Sequence, residues 1–434
     1  MAVTAASLPG TRSTLNSNQI KGFWAAWGGW CLDGMDAFIY ALVLVPALTE
    51  LLPKSGLTVT PGNIGYYGSI LQALFLLGWG LSMVWGPIAD RFGRVRALML
   101  TIIFYSVFTF MCGLVNNIWQ LAVLRVLCGI GLGGEQPMGG TFISEEWPED
   151  RRKMGAGLMH TGYYFGFFIA AVANYYIGAN YGWRWMFIFG GLPALLVSWI
   201  RTGVREPAAW QKKAADERQR PRMRDAFGAL FSPEYKHRTI INSLLFTVSI
   251  IGLWAGSIYV PAAVTQLSVR QGYAAADAAR MASYGAGVLA IGTIIGCLIA
   301  PWLAERFGRR KAMGLYFVSL GIAVAIAFGY VFYQPTALQL FFVLIFFLGI
   351  GGANFALYTL WLPEQYSTNC RASAIAFISS IGRFVGVAMI FLVGAGIQNY
   401  GSLGVPVAIT ASAFLIGLAI LPFAVETRGK SLPI

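Results

Sequence analysis

Apolar stretches long enough to cross a bilayer recur from one end of this chain to the other. Crossing roughly 30 Å of hydrocarbon takes about 20 apolar residues in a helix. Twelve such stretches are predicted, over 22–50, 63–88, 96–115, 118–144, 154–178, 184–201, 239–264, 281–303, 312–332, 337–362, 373–397 and 403–425. Backbone polar groups in lipid must be satisfied internally, which leaves helices or a closed barrel. A barrel would show short alternating segments; these are long and continuous, so helices are predicted. Composition agrees, because 57% of the 434 residues are apolar and only 11% charged, against about 25% charged in a soluble domain.

Residues 1–20 are polar, and the apolar run after them lacks a cleavage pattern, so it reads as a retained first span behind a cytoplasmic tail. Five cysteines, Cys31, Cys112, Cys128, Cys297 and Cys370, fall mostly inside apolar segments with no CxxC. They read as small apolar side chains rather than a disulfide framework or metal cluster. No cofactor is indicated.

The Lys and Arg residues fall on one side. If the N-terminus is cytoplasmic, that side holds Arg91, Arg94, Arg96, Arg151, Arg152, Lys153, a cluster from Arg201 to Arg238, then Arg306, Arg309, Arg310, Lys311, Arg371, Arg428 and Lys430. The other side holds Lys54, Arg184, Arg270 and Arg280. This asymmetry predicts both termini in the cytoplasm. It also accounts for the net charge of +13 through anionic lipid, without nucleic acid. The predicted organisation is a tail (1–21), a first six-helix bundle (22–201), a basic linker (202–238), a second six-helix bundle (239–425) and a short tail (426–434).

The two halves repeat each other. Asp90-Arg91-Phe92-Gly93-Arg94 after the second span returns as Glu305-Arg306-Phe307-Gly308-Arg309 after the eighth, offset by 215 residues. Gly131, Gly133 and Gly134 of the fourth span return as Gly349, Gly351 and Gly352 of the tenth. Two similar bundles rocking about a central site are what alternating access requires. An acid near a helix end beside arginines can act as a charged latch. Asp90, Arg91, Arg94, Glu305, Arg306 and Arg309 are therefore candidate gating residues, with plain topology-setting charge as the bland alternative.

Ionisable groups at membrane depth are costly and mark substrate or ion routes. Asp33 and Asp36 lie roughly 18–22 Å along the first span at 1.5 Å per residue. Three apart, they share a helix face, and two neighbouring acids do not both ionise cheaply, which suits proton uptake and release. Glu135 lies at similar depth in the fourth span, and Arg125 in the same helix is a candidate ion pair to the first. Arg383 is twelve residues into the eleventh span among Ser379, Ser380, Gly382 and Gly386. A guanidinium fork there suits a carboxylate; the alternative is a permanent internal salt bridge. Asn354, Tyr358 and Gln72 are candidate cavity liners, and His160 is a helix contact or gate. Two histidines and no nucleophile-base pattern give no basis for an enzyme.

Gly86-x-x-x-Asp90-Arg91-x-Gly93-Arg94 resembles the signature loop of the major facilitator superfamily, and Arg125-Val-Leu-x-Gly129-Ile-Gly131-x-Gly133 that of its fourth span. Pro301 departs from the pattern, standing where the second loop motif would begin with glycine. The resemblance covers about residues 20–428 and implies an all-α membrane protein of twelve transmembrane helices in two six-helix bundles. Trp30-Cys-Leu-Asp33-Gly-Met-Asp36, Gly134-Glu135-Gln136-Pro137, Glu145, Leu362-Pro-Glu364 and Gly382-Arg383 are similar to the metabolite:proton symporters: sialate, lactate or pyruvate, and aromatic-acid carriers. Gln136 stands where members usually have Trp or a similar residue. That similarity implies carboxylate import into a bacterial cell across its inner membrane, with Asp33, Asp36 and Glu135 handling protons and Arg383 the anion. A small monocarboxylate such as lactate or pyruvate is the expected substrate, ahead of an aromatic acid or sialate. The protein is expected to work as a monomer among membrane lipids. Glu426-Thr-Arg-Gly-Lys430 resembles the tail of sugar porters, but the seventh span lacks their paired glutamines, so a sugar or polyol ranks lower.

Overall fold

The computed structural model describes residues 13–192, 203–214, 223–256, 259–400 and 402–433. Among them all regular structure is helical. Eight helices are long and apolar enough to cross a membrane, and the bent pair Ser17–Leu44 and Pro46–Lys54 makes a ninth. The bend falls at Pro46, where the ring removes a backbone donor and crowds the preceding turn. These nine are the first four and last five of the predicted spans. The fifth, Glu149–Ala173, is long enough but opens on five consecutive charges, Glu149 to Lys153. The seventh comprises Lys236–Gly256 and, beyond 257–258, Val260–Arg270. The sixth starts as Trp183–Phe189; its predicted continuation to 201 lies outside the described residues. So do tail residues 1–12 and linker residues 215–222.

Two apolar cores follow the two halves. One is built from residues between Phe23 and Phe187 plus Ala372. The other is built from residues between Leu230 and Ala424 plus Ala156. Each core thus borrows one alanine from the opposite half. The first span packs on the fifth and the second on the fourth, matched by the seventh on the eleventh and the eighth on the tenth. Across the halves, the second span packs on the eleventh and the fifth on the eighth. All five cysteines are buried and unpaired.

The charged segments predicted as loops are not loops. Helix Trp85–Phe92 runs to Gly93, and Arg94–Cys112 begins at the next residue. Ala275–Phe307 and Arg309–Gly329 likewise meet at Gly308. Both glycines have positive φ, 116° and 87°, a conformation that side chains resist. The starts of the following helices are capped in place. Glu206 accepts from the backbone N–H of Arg94, Val95 and Arg96 at 2.7, 3.1 and 3.0 Å. Glu426 accepts from those of Arg309 and Arg310 at 3.0 and 3.1 Å. A carboxylate on the free N–H groups of a helix start completes that end and complements its dipole. Within 202–238, the described residues form two short helices, Ala208–Ala214 and Met223–Leu230.

Candidate functional site

Glycine brings the deep acids into a packed interior. The fourth span breaks after the Gly-rich run at Gly133 and resumes as Glu135–Glu146, which places Glu135 at the start of the new segment. Its Oε1 accepts from Thr101 Oγ1 at 2.7 Å, whereas Oε2 is buried without a partner. Oε2 fills the space beside Gly29 of the first span that any side chain at that position would need.

Asp33 and Asp36 are both fully buried, and all four carboxyl oxygens lack a hydrogen-bond partner among the described residues. They take different surroundings. Asp33 lies in the field of Glu135 first, then Asp36 and Arg383; Asp36 lies in that of Arg125. The shared face expected from their spacing therefore divides into two stations. Arg125 is not in the ion pair considered for it. Its guanidinium lies 4.0 Å from the ring centres of Tyr40 and of Phe75, its nitrogens buried and unbonded. It ties the fourth span to the first and second through aromatic faces.

Arg383 comes from the other half. It is 5% exposed, donates to Ser379 O at 2.5 Å, and stacks 4.3 Å above the Trp79 ring of the second span. Phe246 lies beyond at 5.9 Å. Among the described residues it forms no ion pair with Asp33, Asp36 or Glu135. Further rings meet, one pair of them across the halves. Phe355 lies parallel to His160 at 6.3 Å and 8°, His160 meets Trp30 at 5.6 Å, and Phe246 meets Phe355 and Tyr358 at 5.4 and 4.8 Å.

Tyr358 shares a 3.0 Å hydrogen bond with Ser249. Asn354 donates to Gly351 O at 2.9 Å and leaves Oδ1 unpaired. Gln72 is half-buried on the second span.

At the charged end a polar network joins the halves. Asp90 is buried and accepts from the N–H groups of Ala372 and Ser373 at 3.3 and 2.9 Å and from Ser373 Oγ at 2.6 Å. Arg94 forks onto Glu145 with two bonds of 3.1 Å and reaches Thr368 O at 2.9 Å. Glu145 also accepts from Arg371 at 2.7 Å, and Arg371 donates to Pro433 O at 2.6 Å. In the second half Arg309 forks onto Glu364 at 3.0 and 2.8 Å, Thr427 donates to Glu364 at 2.5 Å, and Glu305 pairs with Lys153 of the first half at 2.8 Å. Arg91 and Arg306 stay outside. Both are exposed, lying over Phe92 at 5.6 Å and Trp302 at 5.3 Å. One step round a helix from an inward acid turns them away from the junction. Arg371, Lys153 and Glu206 were missing from the candidates. The pair Glu206 and Glu426 carried a signal, since each is an acid that follows the last predicted span of its half within five residues.

Known proteins resemble the chain along its length. It is 28% identical to a probable 4-methylmuconolactone transporter of Cupriavidus pinatubonensis, over 95% of this chain and 91% of that one. It is 26% identical to the niacin transporter of Acinetobacter baylyi, over 94% of each. Among solved structures, the proton:xylose symporter XylE has the same fold, with a TM-score of 0.75 at 17% identity over 96% of this chain and 98% of that one. The profile of the Major Facilitator Superfamily matches residues 26–388. The chain belongs to the Major Facilitator Superfamily, as a multi-pass membrane transporter and not an enzyme.

Proposed function

We propose that this protein carries an organic carboxylate across the membrane together with protons, by alternating access. The observation that carries this reading is Arg383. A buried cation from one half rests on an aromatic face of the other and has no carboxylate partner among the described residues. A carboxylate can occupy its fork by two charge-assisted hydrogen bonds. Asp33, which lies in the field of both Arg383 and Glu135, and Glu135 are the proton carriers of this half-site, with Asp36 beside Arg125 as a second station. Neutralising these acids lowers the cost of closing the site away from water.

Trp79 and Phe246 beside the arginine, with Phe355 packed against Phe246, favour a ring-bearing acid over lactate or pyruvate, which would use the fork and leave the rings unused. The names of the relatives, a muconolactone and niacin carrier among them, support the same class. The network from Asp90 to Glu305 is the gate at the charged end, closed in this conformation. The Lys and Arg asymmetry supports assigning that end, with both termini, to the cytoplasmic side of a bacterial inner membrane.

Uptake by proteoliposomes tests the reading, with benzoate, nicotinate, sialate, lactate and xylose supplied with and without an inward proton gradient. Ring acids are expected to accumulate only with the gradient, and Arg383→Lys to lose roughly tenfold or more in apparent affinity, because Lys cannot reproduce the fork. Accumulation that ignores a proton uncoupler defeats symport. Unchanged affinity in Arg383→Lys defeats the anion contact, and preference for lactate over benzoate restores the small monocarboxylate.

A further inference from the structure

A second recess lies away from the mid-depth site, at the charged end of the second half, with a volume of about 500 Å³. Its walls are the junction of the eighth and ninth spans and the end of the twelfth, and Arg310, Lys311 and Arg428 line it. None of the three forms an ion pair among the described residues. The one acid in the recess, Glu426, is engaged elsewhere. It accepts from four backbone N–H groups, those of Arg309, Arg310, Thr427 and Arg428, at 3.0 to 3.1 Å. Burial would raise its carboxyl, but those N–H groups outweigh it and hold it below the ordinary range. The recess therefore keeps a net positive charge, three cations against one ionised carboxylate. Its floor is apolar, made by Leu418 and Leu421 where Gly314 leaves room. Phe307, on its wall, is 42% exposed.

The matching place in the first half lacks this chemistry. At an offset of 215, Arg310, Lys311 and Gly314 become Val95, Arg96 and Met99. Arg428, two residues after the capping Glu426, becomes Ala208, two after Glu206. Topology-setting charge alone would not gather three cations around one recess and spare its twin.

We infer that this recess binds the phosphate headgroup of an anionic diacyl phospholipid, with Arg310, Lys311 and Arg428 on the phosphate and an acyl chain leaving over Phe307. Cationic recesses at helix ends are suited to anionic headgroups, and a volume of several hundred Å³ is that of a small-ligand site. The apolar floor beside the exposed Phe307 selects a lipid over free phosphate.

The experiment uses the full chain, purified and stripped of lipid. Phosphatidylglycerol, phosphatidylcholine and inorganic phosphate are compared by thermal unfolding midpoint and by lipid retained in native mass spectra. Phosphatidylglycerol alone is expected to be retained and to raise the midpoint. The triple variant Arg310→Gln/Lys311→Gln/Arg428→Gln is expected to weaken its binding roughly tenfold or more, with Arg96→Gln binding as the parent does. Should the triple variant fail to fold, Gly314→Leu fills the floor without touching a cation and is expected to lose the lipid equally. Undiminished phosphatidylglycerol binding in Gly314→Leu or in a folded triple variant overturns the site. Equal stabilisation by inorganic phosphate overturns the lipid.

Discussion

The two halves solve one packing problem in opposite ways at their crossing points. Where the second span meets the eleventh, the small residue is Gly86: a methyl there would lie 2.6 Å from Ser373 Cα and 2.9 Å from Ala376 Cβ. Where the eighth span meets the fifth, the corresponding residue is Pro301, and the glycine has moved to the partner helix as Gly157. A methyl on Gly157 would lie 2.7 Å from Pro301 Cγ and 2.7 Å from Cys297 O. The departure from the sequence motif is thus one side of a volume exchange. Close approach is kept at both crossings, and only the helix that yields has changed.

The acids of the two crossings differ more. Asp90 is enclosed and accepts three bonds from the eleventh span. The Glu305 side chain is 46% exposed and, besides Arg309 of its own half, meets one lysine across the crossing. Charge-assisted hydrogen bonds are worth roughly 1.5–3 kcal/mol each, whereas an exposed pair contributes about 0–1 kcal/mol. Asp90→Asn is therefore expected to shift the junction towards open by about 3 kcal/mol or more, and Glu305→Gln by a tenth to a third of that. Distances between spin labels on the second and eleventh spans, and on the fifth and eighth, measure both. Equal openings would dissolve the distinction.

Next in size are the glycines. Gly86→Ala and Gly157→Ala each press a methyl against backbone, and overpacking costs about 1–3 kcal/mol. Both are expected to favour the open arrangement by roughly tenfold or more in the same measurement. Pro301→Ala relieves the crossing and is expected to offset much of the Gly157→Ala effect. If it offsets nothing, the volume exchange is not what sets the approach.

The smallest effect concerns the two capping glutamates. Burial raises Glu206 above the ordinary carboxylate range, despite the N–H groups of Val95, Arg96 and Arg94; Glu426 is lowered. A lowered folded-state pKa gives stability that is present above the unfolded value, about 4.3, and lost as pH falls through the folded value. A raised one gives stability that is present below the unfolded value and lost as pH rises through the folded value. Unfolding midpoints of Glu426→Gln should therefore fall below the parent at neutral pH and converge with it on acidification. Those of Glu206→Gln should compare best with the parent at neutral pH and worst in acid. Parallel profiles would mean the caps are equivalent.

Much of this was legible in the sequence. Hydropathy marked the spans, because lipid demands long apolar runs whatever the tertiary fold. The 215-residue repeat located Asp90, Arg94, Glu305 and Arg309 at the junction. Arg91 and Arg306 were misplaced because a motif carries order along the chain and not which way round a helix each residue points. Arg125 looked like an ion-pair partner because charge is visible in a sequence and a sandwich of Tyr40 and Phe75 from two other helices is not. Lys153 and Arg371 looked like topology charges because their partners, Glu305 and Glu145, lie in the opposite half. The fifth span begins five residues before its predicted start at 154 and is too polar to stand out, since it faces other helices on several sides.

Glu135 held against Gly29 has a mechanical consequence. The carboxylate occupies the notch left by one missing side chain, and successive residues of a helix are about 100° apart. A turn of the first span about its axis by one residue would present Gly28, and by one the other way Trp30, an indole with no notch at all. The acid then works as a pawl and the first span as the toothed wheel. If the span turns, the carboxylate must withdraw before the indole can pass.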